Sequence, residues 1–215
     1  MFWLAVQQGD LKVEIMTASP NPDEKAKKIL DAVRTLLAKN GYAATTISQV
    51  AAEAGVSRGL LHYYFKNKEE MLARVVQKNM EVSVDLVEAL FAQSETPQDL
   101  AAEITSALRG IVESDPDFFN LFFEGWSVAR QSPVVAQKLT SLYHQFREAI
   151  QGGLKEALTR GAISPAIQLD GLAALLTGII DGIGLQMAAE PELAANEAIW
   201  EATETGIRVL LGGEL

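Results

Sequence analysis

Residues 45–65 read TTISQVAAEAGVSRGLLHYYF, and the fold turns on this stretch. Thr46 and Gln49 have the form of a capping box, in which each side chain satisfies a backbone donor at the start of a helix. The pattern predicts a short helix with Ile47, Val50, Ala51 and Ala54 on its inner side, ended after about two turns by Gly55 in the left-handed conformation. Val56 then fills the corner and Ser57 caps a second helix whose apolar side is Leu60, Leu61, Tyr64 and Phe65. Two short helices joined through a tight glycine turn make a helix-turn-helix, and Ala51 is small enough to let them approach closely.

That packing leaves Ser57, Arg58, Gly59, His62 and Tyr63 outward on the second helix, a set of donors and flat rings without a carboxylate. Such a surface suits the major groove, where the edges of the base pairs are distinguishable.

Upstream, Asn21, Pro22 and Glu24 have the form of a helix start, and Ile29, Val33, Leu36 and Leu37 recur at helical spacing until Gly41. Downstream, Asn67 with Glu70 starts a longer helix. Its apolar positions, Leu72, Val75, Val76, Met80, Val84, Val87 and Leu90 or Phe91, run without a breaker to the loop at 94–97, long enough to connect two bodies. The remainder repeats one theme, helical segments near 98–113, 117–131, 133–160, 167–189 and 192–211 separated by proline-bearing breaks. No strand-like alternation occurs. The expected class is all-α: a helix-turn-helix three-helix domain at 21–67 and a larger helical ligand-binding and dimerisation domain at 68–215. Residues 1–20 read as a loosely ordered arm, with Met16 a candidate start.

The charge is divided accordingly. The chain is −10 overall, yet residues 21–75 carry nine basic and six acidic side chains, leaving nine basic and twenty-two acidic ones elsewhere. The helix-turn-helix segment is therefore the part suited to phosphate, and the rest is not. There is no cysteine, and two histidines, His62 and His144, cannot build a multi-histidine metal site. No metal, cofactor or catalytic set is expected. No serine sits in a nucleophile elbow, Gly182-Ile183-Gly184 completes no dinucleotide fingerprint, and Asp115 with Asp117 reads as a turn and helix start. The first residues lack the basic region of a signal peptide, and the apolar stretch 171–189 carries Asp181 near its middle, which argues for a buried helix rather than a membrane span.

Residues 21–75 resemble the N-terminal domain of TetR-family regulators, on Gly41-Tyr42, Thr45-Thr46, Ile47, Val50-Ala51, Ala54-Gly55-Val56-Ser57, Tyr64-Phe65, Lys68 and Leu72. The resemblance covers about a quarter of the chain and departs from the family's commonest pattern at Leu60 and in the order His62-Tyr63. It implies phosphate contacts from Thr45, Thr46, His62, Tyr63 and Lys68, and base reading by Arg58 and Gly59. Taken singly, Thr45 and Thr46 have the plainer role of capping, Lys68 of a solvated charge and Tyr63 of packing.

Phe118, Phe119, Phe122, Phe123 and Trp126 lie on one expected helix, with Tyr143 and Phe146 on the next. They read either as ordinary core or as the lining of an apolar cavity. The resemblance implies the second, a small-molecule effector site, with Glu124, Arg130 and His144 the charged groups nearest the rings. The segment 171–187 is apolar nearly all round, with Leu175, Gly178, Ile179 and Gly182 among its residues, and needs covering on most sides. A second copy of itself with the final helix, including Trp200 and Ile207, would cover it, and the resemblance implies that four-helix homodimer. The expectation is a cytoplasmic, homodimeric regulator, a repressor by family habit, that binds double-stranded DNA at a palindrome, takes a small-molecule effector and has no membrane partner. A DNA-binding regulator without an effector, a helical scaffold and a helical enzyme are the alternatives.

Overall fold

The computed structural model describes the backbone of residues 22–214 and the side chains from Glu24 onward. The expected arm, Met16 and the Asn21 cap lie outside the described residues. Among the described residues every regular element is helical: α1 (Pro22–Ala44), α2 (Ile47–Glu53), α3 (Arg58–Tyr64), α4 (Lys68–Gln93), α5 (Pro97–Ser114), α6 (Asp117–Ala129), α7 (Pro133–Arg160), α8 (Leu169–Ala189) and α9 (Glu197–Leu210).

The breaks are made by local chemistry. Gly41 adopts φ 73°, ψ 171° and interrupts α1 where the sequence predicts its stop. Thr96 caps α5 ahead of Pro97 and Ser132 caps α7 ahead of Pro133, each side chain accepting a backbone N–H from the first turn. Gly161, with φ 77°, closes α7. The last segment differs from expectation. Pro191–Ala195 forms a separate 3-10 turn and α9 begins only at Glu197, because Asn196 caps it by accepting the Ala198 N–H.

One continuous apolar core runs from α1 to the end of the chain. Its spine is α4 against α7, which bury Leu72, Val75, Val76, Met80, Val87 and Phe91 from one helix and Leu139, Leu142, Phe146, Ile150 and Leu154 from the other. Burying these side chains contributes roughly 1.5–3 kcal/mol each before the entropy of ordering them is subtracted. The two helices approach so closely that Gly153 has no room for a side chain: a Cβ there would lie 2.4 Å from the Phe91 ring. Arg160, at the end of α7, closes the same contact by donating to the carbonyls of Phe91 and Ser94 at 2.7 and 3.3 Å, the free end of α4.

A second cluster gathers Leu108, Phe119, Met187 and Trp200 from α5, α6, α8 and α9. It corrects the expectation for the final helix. Trp200 is 3% exposed, with its ring nitrogen donating to the Ala194 carbonyl, and Ile207 is fully buried against α5, so neither is available to a partner chain. The all-round apolar character of α8 divides in two. Leu172, Ala173, Leu176 and Met187 face the chain's own core, whereas Leu175, Gly178 and Leu185 are exposed and Ile179 and Gly182 are half-buried. By length and composition α8 could cross a membrane, but its inner face belongs to this core.

Two adjacent glycines test the α4–α7 contact. Gly153→Ala is expected to lower the unfolding free energy by about 1–3 kcal/mol through overpacking. Gly152→Ala, which meets open space, should raise it by roughly 0.5–1 kcal/mol through helix propensity. Urea denaturation of the two variants reads the difference.

Candidate nucleic-acid interface and internal cavity

The helix-turn-helix is built as its sequence predicts. The Thr46–Gln49 capping box is present, with Thr46 Oγ1 accepting the Gln49 N–H at 3.3 Å and Gln49 Oε1 accepting the Thr46 N–H at 2.8 Å. Gly55 turns the chain at φ 64°, and Val56 donates to the Ala51 carbonyl at 2.9 Å as its side chain enters the corner. Ser57 caps α3 by accepting the Leu60 N–H at 3.2 Å. Leu61 and Phe65 are buried beneath α3.

The opposite face of α3 is open. Ser57, Arg58, Gly59, His62 and Tyr63 are all exposed, Tyr63 to 82%. Tyr63 stands edge-on to Tyr64, with ring centroids 5.3 Å apart, which fixes an otherwise unsupported aromatic side chain. Thr46 is exposed at the start of α2 beside this face.

Two residues expected on that surface are elsewhere. Thr45 is 1% exposed and its hydroxyl is directed at the carbonyls of Gly41 and Leu36, at 2.8 and 3.1 Å, sealing the end of α1. Lys68 turns its ammonium inward to the carbonyls of Tyr42, Ala43 and Thr45, at 2.6, 3.4 and 3.0 Å, and sits 4.1 Å from the centre of the Tyr42 ring. An ammonium has three donors, and here all three are occupied. Both residues hold the scaffold together instead of reaching outward. The interruption at Gly41 leaves carbonyls without helical partners, and these two side chains satisfy them.

The second feature is an apolar cavity of about 70 Å3 lined by five helices, α4 to α8. Five of the expected aromatic residues line it: Phe118, Phe119, Phe122, Tyr143 and Phe146. Phe123 does not, because its side chain packs in the neighbouring cluster and along the groove against α1. Trp126 is 47% exposed at the rim, where its Nε1 donates to the Tyr143 hydroxyl at 3.3 Å. Glu124, Arg130 and His144 do not reach the cavity either. Glu124 lies beside Gly41 on the α1 side, Arg130 is exposed at the end of α6, and His144 pairs with Glu148 on the outer face of α7.

The one charged group in the lining is Asp181, on α8, near the Tyr143 hydroxyl. Burial raises its carboxyl above the usual range, opposed by its interaction with that hydroxyl. The same burial, with the Asp181 charge beside it, pushes the Tyr143 phenol up to about 12. The sequence carried a signal for this site: Asp181 is the one ionisable side chain between Asp170 and Glu190, and a lone carboxylate inside an apolar helix needs a partner. Among the described residues no three His, Asp or Glu side chains converge as a metal site requires.

Arrangement and comparison agree. Residues 29–75 match bacterial regulatory proteins of the tetR family, and residues 112–212 match the C-terminal domain of BetI-type transcriptional repressors. A fatty acid metabolism regulator protein of Bacillus subtilis is 27% identical over 158 residues, covering 73% of this chain and 80% of the relative. Among solved structures, GusR of Salmonella enterica has a TM-score of 0.76 at 20% identity, covering 89% of this chain and 97% of that one. The transcriptional regulator FadR from Bacillus subtilis in complex with stearoyl-CoA has a TM-score of 0.68 at 20% identity, covering 88% and 99%.

Because the Lys68 ammonium serves the scaffold, Lys68→Met is expected to cost about 1.5–3 kcal/mol of stability, the range for a hydrogen bond to a charged group. Thermal unfolding of Lys68→Met and Lys66→Met side by side checks it. Lys66 is exposed, and equal, near-zero effects would overturn the capping role.

Proposed function

The chain belongs to the TetR family of bacterial transcriptional regulators, and from that premise we propose that it is an effector-released repressor that binds a palindromic operator as a homodimer. One observation carries the reading: a capped, seven-residue α3 whose inner face is locked into the core and whose outer face presents Ser57, Arg58, Gly59, His62 and Tyr63 with no carboxylate among them. In this reading residues 21–67 are the DNA-binding domain and 68–215 the effector and dimer domain. Arg58 and Gly59 meet base edges in the major groove. Thr46, Ser57, His62 and Tyr63 hold the backbone.

The second copy covers the open half of α8. Leu175 and Leu185 are each 49% exposed and lie on the side where Gly171, Ala174 and Gly178 let another helix approach. Val209, 41% exposed on α9, takes the place expected of Trp200 and Ile207. Two α3 helices related by such a two-fold axis address half-sites about one turn of DNA apart.

Effector action follows from the narrowness of the cavity. A molecule larger than a few atoms enters only if helices move apart, because a close-packed interior does not deform continuously. α4 lines the cavity with Met80, Val87 and Leu90, and it begins at Lys68, the residue clasping the end of α1. A second tie, the ion pair between Arg34 of α1 and Asp115 at the end of α5, joins the same two bodies. An effector that binds the shifted arrangement better weakens DNA binding by that difference in affinity. Relatives and neighbours include the fatty acid metabolism regulator and the stearoyl-CoA complex, which supports a lipophilic effector.

Mobility shift against the DNA upstream of the gene, with random DNA as competitor and salt varied, tests the main reading. Tight, salt-sensitive and competitor-resistant binding is expected, and no preference over random DNA at any salt, there or in a random-sequence selection, would overturn it. In the same assay Arg58→Ala is expected to cost about 1–3 kcal/mol on the preferred site and less on random DNA. Equal losses on both would remove its base-reading role.

A further inference from the structure

The lining of the cavity is almost wholly hydrocarbon. The side chains in it that form ordinary hydrogen bonds are Ser83, Tyr143 and Asp181, and no lysine, arginine or histidine contributes. The polar end is therefore a single spot with an acidic character. The Tyr143 oxygen accepts from Trp126 at 3.3 Å, and the Asp181 carboxyl, beside it, has no lysine, arginine or histidine as an ion-pair partner among the described residues. A carboxylate offers about four acceptor positions. Arg147, further along α7, acts on the Tyr143 phenol but is not part of the lining.

Around that spot stand aromatic faces. Tyr143 lies 6.5 Å from Phe122 and 5.5 Å from Trp126, centroid to centroid, and Phe118 and Phe119 continue the surface inward. A carboxylate in a lining that also holds several aromatic rings is complementary to a positive charge twice over, by ion pairing and by the ring quadrupoles. It is uncomplementary to a second carboxylate or a phosphate, which finds no cation in the lining and brings a like charge to Asp181.

We infer that the effector is a lipophilic amine, protonated at its nitrogen, seated with that nitrogen against Asp181 and its hydrocarbon body among Phe119, Phe122 and Phe146. The assignment rests on the cavity being the effector site, as proposed above. It narrows the ligand class from the lining of this cavity: carboxylate-headed lipids are disfavoured, neutral alcohols are intermediate and amines are preferred. Burial of Asp181 without a basic partner agrees with a site completed by a cation from outside.

Titration calorimetry of the full-length protein at pH 7 with octylamine, octanol and octanoate, which share one hydrocarbon tail, tests the order. Octylamine is expected to bind at least about tenfold more tightly than octanoate, the effect of one charge-assisted bond in place of a like-charge contact. Asp181→Asn keeps the shape of the side chain, and is expected to remove about tenfold or more of the octylamine affinity while changing octanol by no more than about threefold. Ala107→Trp, which fills the cavity from α5, should abolish binding of all three. Octanoate binding as well as octylamine to the unaltered protein overturns the amine assignment and leaves the cavity reading intact. Binding of all three that survives Ala107→Trp, or no binding by any, overturns the cavity reading itself.

Discussion

A helix that stops at a glycine leaves carbonyls facing nothing, and at the end of α1 those carbonyls are gathered by the ammonium of Lys68 and the hydroxyl of Thr45. The helix-turn-helix hangs from this junction. It fixes the last turn of α1, the entry into α2 and the first residue of α4 at one point, so α3, packed on α2 through the Gly55 corner, cannot tilt independently of α4. The Tyr42 ring beneath the ammonium adds a cation–π contact to the same clasp.

From that junction α4 runs through the rest of the molecule. Its far end is clasped by Arg160 much as its near end clasps α1, and between the two it lies along α7 at a distance set by Gly153. A helix held at both ends and pressed on one side transmits displacement as a unit. The cavity opens along the part of α4 that is neither clasp, among Met80, Leu86 and Leu90, where the packing is looser. The narrow volume thus lies along the helix that is clasped at both ends, with the acidic spot at Tyr143 and Asp181 contributed by α7 and α8.

α8 shows how one sequence pattern serves two environments. Gly184 admits the Phe119 ring, which would lie 2.2 Å from a Cβ there, so the small residue on the inner side is a packing requirement. On the outer side a Cβ added at Gly171 or Gly178 would meet open space, and Leu175 and Leu185 stand half-exposed beside them. Apolar area left uncovered in this way costs free energy until another surface meets it.

The chemistry of neighbours in the chain was legible without coordinates. Capping pairs, the Gly41 and Gly55 stops, proline starts and helical periodicity depend on residues within a turn of one another, so the all-α class, the helix-turn-helix and the outward face of α3 could be read from the string of residues. The site residues that the fold places elsewhere depend on which way a side chain turns and on what the tertiary packing brings to it. Thr45 and Lys68 belong to the scaffold since they turn to the carbonyls at the end of α1, Lys68 across 26 positions, and no periodicity reveals which way a hydroxyl or an ammonium turns. Trp200 and Ile207 share the apolar spacing of an interface helix, but only the packing of α5 against α9 decided that this face is internal. Phe123 and Trp126 sit on the same helix as Phe119 and Phe122, and the rotation of α6 alone separates them from the cavity. Asp181 was visible as a lone charge in an apolar run. That its partner is Tyr143, and that both end in a cavity without a basic residue, was decided by the meeting of α7 and α8, because the worth of a buried charge depends on what surrounds it and sequence order does not contain that.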